Sequence, residues 1–106
     1  MWEVNGNDVS MAEHDFGLKL PFTIHDLPIT ANDTIKMVFK RHRNDEPILE
    51  KDYTNIVDKT IELEFTEDES NLFPPGGYVY RMDWYQDGVF MCNIIDCAKF
   101  RVGDKA

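Results

Sequence analysis

Hydrophobic and polar residues alternate along most of this chain, and the alternation predicts β-strands. Successive side chains of a strand point to opposite faces, so a half-buried strand has an apolar residue at every second position. The first such run has apolar residues at positions 16, 18, 20, 22 and 24. Pro21 occupies one of the outward-facing positions of this run. Proline has no N–H to donate to a neighbouring strand, so it predicts that this strand lies at the edge of a sheet. Apolar residues also alternate at 35–39, at 61–65 and at 78–84, which predicts three further strands.

The last apolar run is longer and does not keep one period. Val89–Ile94 and Ala98–Val102 predict a fifth strand whose even-numbered residues face inward. Asp96 would then face the core, so we expect a kink or bulge at that position.

Two other segments give weaker strand signals. Pro47–Tyr53 predicts a short edge strand. At the N-terminus, Trp2–Val4 and Asp8–Met11 flank an Asn-Gly pair at 5–6, which predicts a β-hairpin within residues 1–13. The alternative is a disordered terminus; the ordered interpretation is favoured because leaving Trp2 in water would be costly.

Turn signals separate these runs. Asp87-Gly88 predicts a tight hairpin, and Pro74–Gly77 predicts a sharp corner before Tyr78. Thr66 and Glu69 have the spacing of a capping box, which predicts one helical or 3₁₀ turn over residues 67–72.

These elements predict an all-β fold in a single domain over residues 1–106. Six to eight short strands with frequent turns, and at most one short helical turn, are typical of an immunoglobulin-like antiparallel β-sandwich. In such sandwiches a tyrosine at a strand entry can bond back to the preceding corner. Tyr78 or Tyr80 is placed to do this, and the alternative is an ordinary core aromatic.

Charge limits the classes of partner. The chain has 20 acidic and 11 basic residues and a formal net charge of −9, which repels nucleic acid and anionic membranes. No apolar run approaches the ~18 residues of a membrane span, and we see no signal peptide. We therefore expect neither nucleic acid nor membrane as a partner.

Metal and disulfide chemistry are not indicated by the histidines and cysteines. His14, His25 and His42 are not spaced as ligands with each other or with a cysteine. Cys92 and Cys97 have opposite parity on one strand, so they do not predict a zinc site or a mutual disulfide; Cys92 is expected as a small core residue.

Catalytic chemistry is not indicated either. Glu62 and Glu64 share the outward face of one strand, but nothing marks a cleft around them. Neither Ser10 nor Ser70 has the surroundings of a nucleophile. We therefore predict that the protein is not an enzyme and has no cofactor.

Two small groups of residues are candidates for binding. Tyr85 has the opposite parity from Trp84 and lies on the same face as Arg81, which predicts an exposed aromatic beside a cation and suits a protein interface. The alternative is an isolated exposed aromatic. Glu67, Asp68 and Glu69 form an acidic run at a corner and are weak candidates for calcium binding; the alternative is solvated charge.

Several short motifs resemble one family. The segment 65–83 has a strand, a Thr-Glu-Asp corner, a leucine, a Pro-Gly pair and a Tyr-x-Tyr strand, and 98–102 is similar to a closing Gly-x-Phe-x-Val strand. Segments 10–17 and 33–39 are similar to the opening motifs of the same proteins. The chain thereby resembles small phage and prophage tail-associated β-sandwich proteins, like the immunoglobulin-like N-terminal domain of baseplate upper proteins. It departs from them at His14 and Ala98, which replace turn glycines.

The resemblance implies a structural or adaptor role in a phage tail or baseplate, carried by protein–protein contacts. It implies other phage structural proteins as partners, a homo-oligomer, and a location in the virion or, during assembly, in the bacterial cytoplasm. The alternative function is a β-sandwich module that binds a glycan or calcium through its loops. Tyr85 and the acidic run 67–69 suggest this alternative.

Overall fold

A computed structural model describes residues 2–13 and 15–103, so the predicted departure at His14 lies outside the described residues. Segments in which apolar and polar residues alternate form strands throughout this part of the chain, and turn residues separate these strands. The elements, in chain order, are β1 (Glu3–Asn5), β2 (Asp8–Ala12), β3 (Leu20–Thr23), β4 (Thr34–Lys40), β5 (Pro47–Tyr53), β6 (Thr60–Leu63), α1 (Glu67–Ser70), β7 (Gly76–Gln86) and β8 (Val89–Gly103).

The strands form two sheets, and the predicted all-β sandwich is confirmed. One sheet has the order β1-β2-β8-β7-β4-β5 and the other pairs β3 with β6. The expectation of a purely antiparallel fold needs one correction, because β2 runs parallel to β8, with Val9 opposite Phe100. The chain reverses direction between β1 and β2, so β2 runs in the same direction as β8, beside which it lies.

Aromatic side chains fill the space between the sheets. Phe39 is fully buried, and its ring contacts those of Phe65, Phe73, Tyr80 and Phe100. Such ring pairs contribute beyond the area they bury, so this cluster is the centre of the core.

The predicted tyrosine corner is confirmed at Tyr78, whose hydroxyl donates to the carbonyl of Pro74 at 2.6 Å. Tyr80 makes a different bond, to the carbonyl of Asn7 in the N-terminal hairpin. Burial and the nearby charge of Asp8 raise the pKa of Tyr80 to about 12. Both hydroxyls are therefore satisfied inside the sandwich.

The N-terminal hairpin is ordered, as predicted. The Trp2 indole donates to the carbonyl of Leu18 at 3.0 Å, and its ring lies 5.7 Å from Phe65 and 6.2 Å from Phe100. Trp2 thus closes one end of the core.

The predicted first strand is too long. The alternation begins at residue 16, but β3 begins at Leu20, and Phe16 and Leu18 are exposed. Gly17 has a φ of +78°, which breaks the extended backbone between them. The edge position of Pro21 is confirmed, since among the described residues β3 pairs with β6 alone.

The predicted bulge near Asp96 is confirmed, because Tyr80 pairs with Ala98 while Met82 pairs with Ile95. The sequence pattern misses two further irregularities in the pairing of β7 with β8, near Ile94 and near Met91. Each extra residue shifts the parity of β8. The expectation that every even residue faces inward is therefore wrong at Phe90, which pairs with Tyr85 and is exposed.

The remaining predictions concern local chemistry. Thr66 and Glu69 form the predicted capping box at the start of α1. Cys92 and Cys97 are both free thiols; Cys92 packs partly against the core and Cys97 is exposed. In the part of the chain that is described, no helix has the length and apolar character to cross a bilayer.

Candidate functional site

The β7–β8 hairpin extends beyond its neighbour in the sheet. Pairing of β4 with β7 stops at Thr34 and Tyr85, whereas β7 and β8 continue to pair as far as Gln86 and Val89. Asp87 and Gly88 form the turn with φ values of 50° and 78°, the left-handed pair that tight hairpins need. The tip is therefore a defined projection.

Three consecutive apolar side chains are exposed where β8 begins. Val89 is 61% exposed, Phe90 49% and Met91 44%. A regular strand with one solvated face would expose only every second residue. Here Met91 is the extra residue between the Trp84–Cys92 and Tyr85–Phe90 pairs and adds an exposed side chain beside Phe90, whereas Val89, opposite Gln86, is exposed next to the turn. Exposed apolar runs of this kind are avoided unless they serve a function.

Tyr85 extends this apolar area across to β7. Its ring lies 5.7 Å from that of Phe90 at an interplanar angle of 71°, which is the edge-to-face arrangement that aromatic pairs favour. The Lys36 ammonium lies 5.7 Å from the centre of the Tyr85 ring. We call Tyr85, Val89, Phe90 and Met91 the hairpin surface.

A buried carboxylate holds the base of this hairpin. Asp33, in the β3–β4 loop, accepts hydrogen bonds from the Trp84 indole at 2.9 Å, the Gln86 amide at 3.3 Å and the Thr30 N–H at 3.0 Å. Burial raises the pKa of Asp33, but these bonds together outweigh it, so its pKa lies below the ordinary value. The ionised carboxylate therefore fixes the loop to the hairpin.

A groove of about 340 Å³ lies beside the hairpin surface. Ile24 and Leu27 form one wall, where β3 runs into the β3–β4 loop, and Cys92 and Ile94 of β8 form the other. In the described part of the chain β2 pairs with β8 only at residues 100–103, so this stretch of β8 is open on that side.

Arg81 lies on the same outer face of the six-stranded sheet as Tyr85, as the parity predicts. Its Nε donates to Asp83 at 2.8 Å, and Asn93 donates to the other oxygen of Asp83 at 2.6 Å. Asp83 lies between Arg81 and Tyr85 along β7, so the structure places the two predicted residues on one face without bringing them together.

The middle of this outer face is covered by its own side chains. Val38 is completely buried although its position faces outward. It forms part of a depression of about 250 Å³ with Lys40, Arg43 and Arg81, and Arg43 pairs with Asp96 at 2.7 Å. The alternation at 35–39 gives Val38 an outward position, and nothing in that pattern indicates this cover.

The acidic corner is a helix cap. Glu69 accepts from Lys51 at 2.8 Å and from the Thr66 N–H at 2.9 Å. Burial raises the pKa of Glu69, but these bonds and the charge of Lys51 outweigh it and lower the pKa. Glu67 and Asp68 are exposed. Among residues 2–13 and 15–103, no three histidine, cysteine, aspartate or glutamate side chains are grouped to hold a metal.

Sequence reasoning identified Tyr85 but missed Val89, Phe90 and Met91. The available signal was the run of seven uncharged residues at 89–95 directly after the Asp-Gly turn. The position of each extra residue in β8 was not visible in that run, so its exposure could not be assigned.

Comparison of the chain with protein-family models, with curated proteins and with solved structures gives no match in any of the three. The resemblance to phage tail-associated proteins therefore rests on the sequence motifs alone.

Proposed function

We propose that this protein is a non-enzymatic β-sandwich module that binds another protein through the hairpin surface. The observation that carries the proposal is the exposed run Val89–Met91, joined to the Tyr85 ring. Contiguous exposed apolar patches mark interaction sites, and aromatic side chains contribute a large share of binding energy at interfaces.

The rigidity of the hairpin supports this function. Asp33 ties its base to the neighbouring loop through Trp84 and Gln86, and the turn has a defined geometry. Binding through a surface that is already ordered avoids the entropy cost of ordering side chains and loops. Loops at one end of immunoglobulin sandwiches are commonly used in this way.

The setting we propose is a phage tail or baseplate, in which the module is a structural or adaptor subunit. The support is the resemblance of segments 10–17, 33–39, 65–83 and 98–102. Partners would then be other structural proteins of the same particle.

A particle-assembly experiment tests the function and the setting separately. Wild-type protein and the variant Phe90→Asp would each be produced together with the other structural proteins of the proposed tail particle, and particles would be examined by negative-stain electron microscopy and gel analysis. Leu72→Asp is the matched control, since Leu72 is 45% exposed at the opposite end of the sandwich. We expect the wild type and the control in particles and Phe90→Asp depleted.

Each other outcome rejects one part of the proposal. Incorporation of Phe90→Asp at the wild-type level would reject the hairpin surface as the binding site. Exclusion of the wild type from every particle would reject the tail setting.

Glycan binding is a second candidate, favoured by the partly buried ring of Tyr85, on which a sugar could stack. Calcium binding at residues 67–69 is not proposed, because the Glu69 carboxylate already pairs with Lys51. A glycan array with the wild type and Tyr85→Ala tests this candidate; no signal from the wild type would reject it.

A further inference from the structure

Of the asparagines in this chain, only Asn5 is followed by a glycine, and this pair lies where β1 turns into β2. A glycine has no Cβ, so its backbone nitrogen can closely approach the side chain that precedes it. We infer that Asn5 is a site of spontaneous deamidation, and that the isoaspartate formed there loosens the N-terminal hairpin from the sandwich. The inference is independent of the proposed function, because β1 and β2 contribute no residue to the hairpin surface.

The turn exposes both reacting groups. Asn5 and Gly6 are exposed. Gly6 has a φ of +64°, and nothing beyond its chain neighbours lies within 4 Å of the position that a Cβ would take. Within residues 2–13 and 15–103, no backbone hydrogen bond of a turn or loop uses the Gly6 N–H. Water can therefore reach the nitrogen that has to lose its proton.

The strand that ends at Asn5 allows the rotation that the reaction needs. Asn5 is the last residue of an extended strand, and its backbone must rotate until the Gly6 nitrogen faces the side-chain carbonyl carbon. β1 has three residues, all exposed, and in the described part of the chain it pairs with β2 alone. Elements with so few contacts open locally at a small cost in free energy. The rotation is therefore accessible in the folded protein.

The reaction uses water as its only co-reactant. The Gly6 nitrogen, after losing its proton to solvent, attacks the side-chain carbonyl carbon of Asn5. A carbon–nitrogen bond forms, and the side-chain amide nitrogen takes a proton from solvent and leaves as ammonia. Water then opens either carbonyl of the resulting succinimide ring. Opening at one carbonyl gives aspartate, and opening at the other gives isoaspartate, in which the backbone continues through the side chain.

Both products disturb the residues that hold the N-terminal hairpin in place. Asn5 pairs with Asp8 across the turn, so an aspartate at position 5 places two carboxylates opposite each other. Isoaspartate lengthens the backbone by a methylene group, which the tight turn cannot absorb without a change of register. Directly after the turn, the Asn7 carbonyl accepts from the Tyr80 hydroxyl, and the Asp8 carboxylate accepts from the Lys99 N–H at 3.0 Å. A changed register breaks these two bonds first.

Mass spectrometry of the native protein during incubation in mildly alkaline buffer tests the assignment of the site. The tryptic peptide 1–19 contains both Asn5 and Asn7, so its fragments compare the two residues in one molecule. We expect deamidation at Asn5 to be at least about tenfold faster, because Asp8 after Asn7 has the Cβ that glycine lacks. Equal rates at the two residues would overturn the assignment, as would conversion of Asn5 only in urea-unfolded protein.

Hydrogen exchange of β1 and β2 tests the loosening. We expect their amides to exchange at least about threefold faster in aged wild type than in fresh protein. Asn5→Gln keeps a side-chain amide but cyclises far more slowly, so its exchange should not change with ageing. Unchanged exchange in wild type whose Asn5 has been converted would overturn the loosening, as would an equal increase in Asn5→Gln.

The variant Asn5→Asp separates the effect of charge from that of the longer backbone. It carries the new carboxylate on an unaltered chain, so we expect a smaller increase in exchange than in the aged wild type. An increase as large as that of the aged wild type would overturn the role of isoaspartate.

Discussion

The two ends of the sandwich are built in opposite ways. At the end that contains α1, which we call the closed end, Phe73 is buried, the Tyr78 hydroxyl bonds to Pro74 and the Trp2 indole bonds to Leu18. At the other end, the hairpin end, Val89, Phe90 and Met91 remain exposed. Different connections between the strands form the two ends: the β4–β5 and β6–β7 connections lie at the closed end, and the β3–β4 and β7–β8 connections lie at the hairpin end.

The difference lies in where the polar bonds are made. At the closed end they fasten the outermost residues, including Lys51 to Glu69, so side chains there are engaged within the chain. At the hairpin end they are made below the tip, at Asp33. A fixed base with an uncommitted apolar tip is suited to recognition, whereas the closed end is suited to stability.

The largest expected contrast comes from removing one phenylalanine ring at each end. Phe73→Ala removes a buried ring that contacts Phe39, Phe65 and Phe100, and should lower the free energy of unfolding by about 3–5 kcal/mol. Phe90→Ala should lower it by less than about 1 kcal/mol. Urea denaturation measures both, and equal losses would show that the hairpin tip is part of the core.

The second contrast concerns the bonds at the base of the hairpin. Asp33→Ala leaves the buried Trp84 N–H without its acceptor, and should cost about 1–3 kcal/mol or more. Asp26→Ala, at an exposed position of the same loop, should change the free energy of unfolding by no more than about 0.5 kcal/mol. If the two variants unfolded alike, the hairpin base would not depend on Asp33.

A smaller contrast separates two tyrosines of β7. Tyr78→Phe loses the bond to Pro74 and should destabilise the protein by about 1 kcal/mol. Tyr85→Phe should leave the stability almost unchanged, because its hydroxyl supports no such corner. Thermal unfolding of the pair checks this, and an equal shift in both would argue against the corner bond.

The smallest effect is expected from pH at the closed end. The pKa of Glu69 is lowered in the folded protein, so its stabilising contribution is present above its unfolded pKa of about 4.3 and is lost as pH falls through the folded pKa. Glu69→Gln should therefore flatten the acid side of the stability curve. Asp68→Asn, an exposed neighbour, should not, and identical curves for both variants would contradict this role.

Most of the fold was predictable from the sequence because alternation and turn residues act locally. The strand at 35–39, the capping box at Thr66 and the corner bond of Tyr78 each follow from a few neighbouring residues. The parallel contact of β2 with β8 was not predictable, because it joins residues that lie about 90 positions apart.

The candidate site was only partly predictable, and the reason is the bulges. Tyr85 lies on the regular strand β7, so its parity gave its face correctly. Phe90 and Met91 lie on β8, where an extra residue changes which side chains face outward. Periodicity cannot show where such a residue falls, since its position depends on the partner strand.

The contact between the first hairpin and the last strand has a consequence for how the protein is made. The Lys99 N–H bonds to Asp8, 91 residues earlier, and Tyr80 bonds to Asn7. Contacts between distant residues slow folding, because a long loop must close before they form. On the ribosome, the large sheet cannot be completed until residue 103 has emerged, so the edge of β7 that pairs with β8 stays open until then. We expect slow folding and a dependence on chaperones during synthesis.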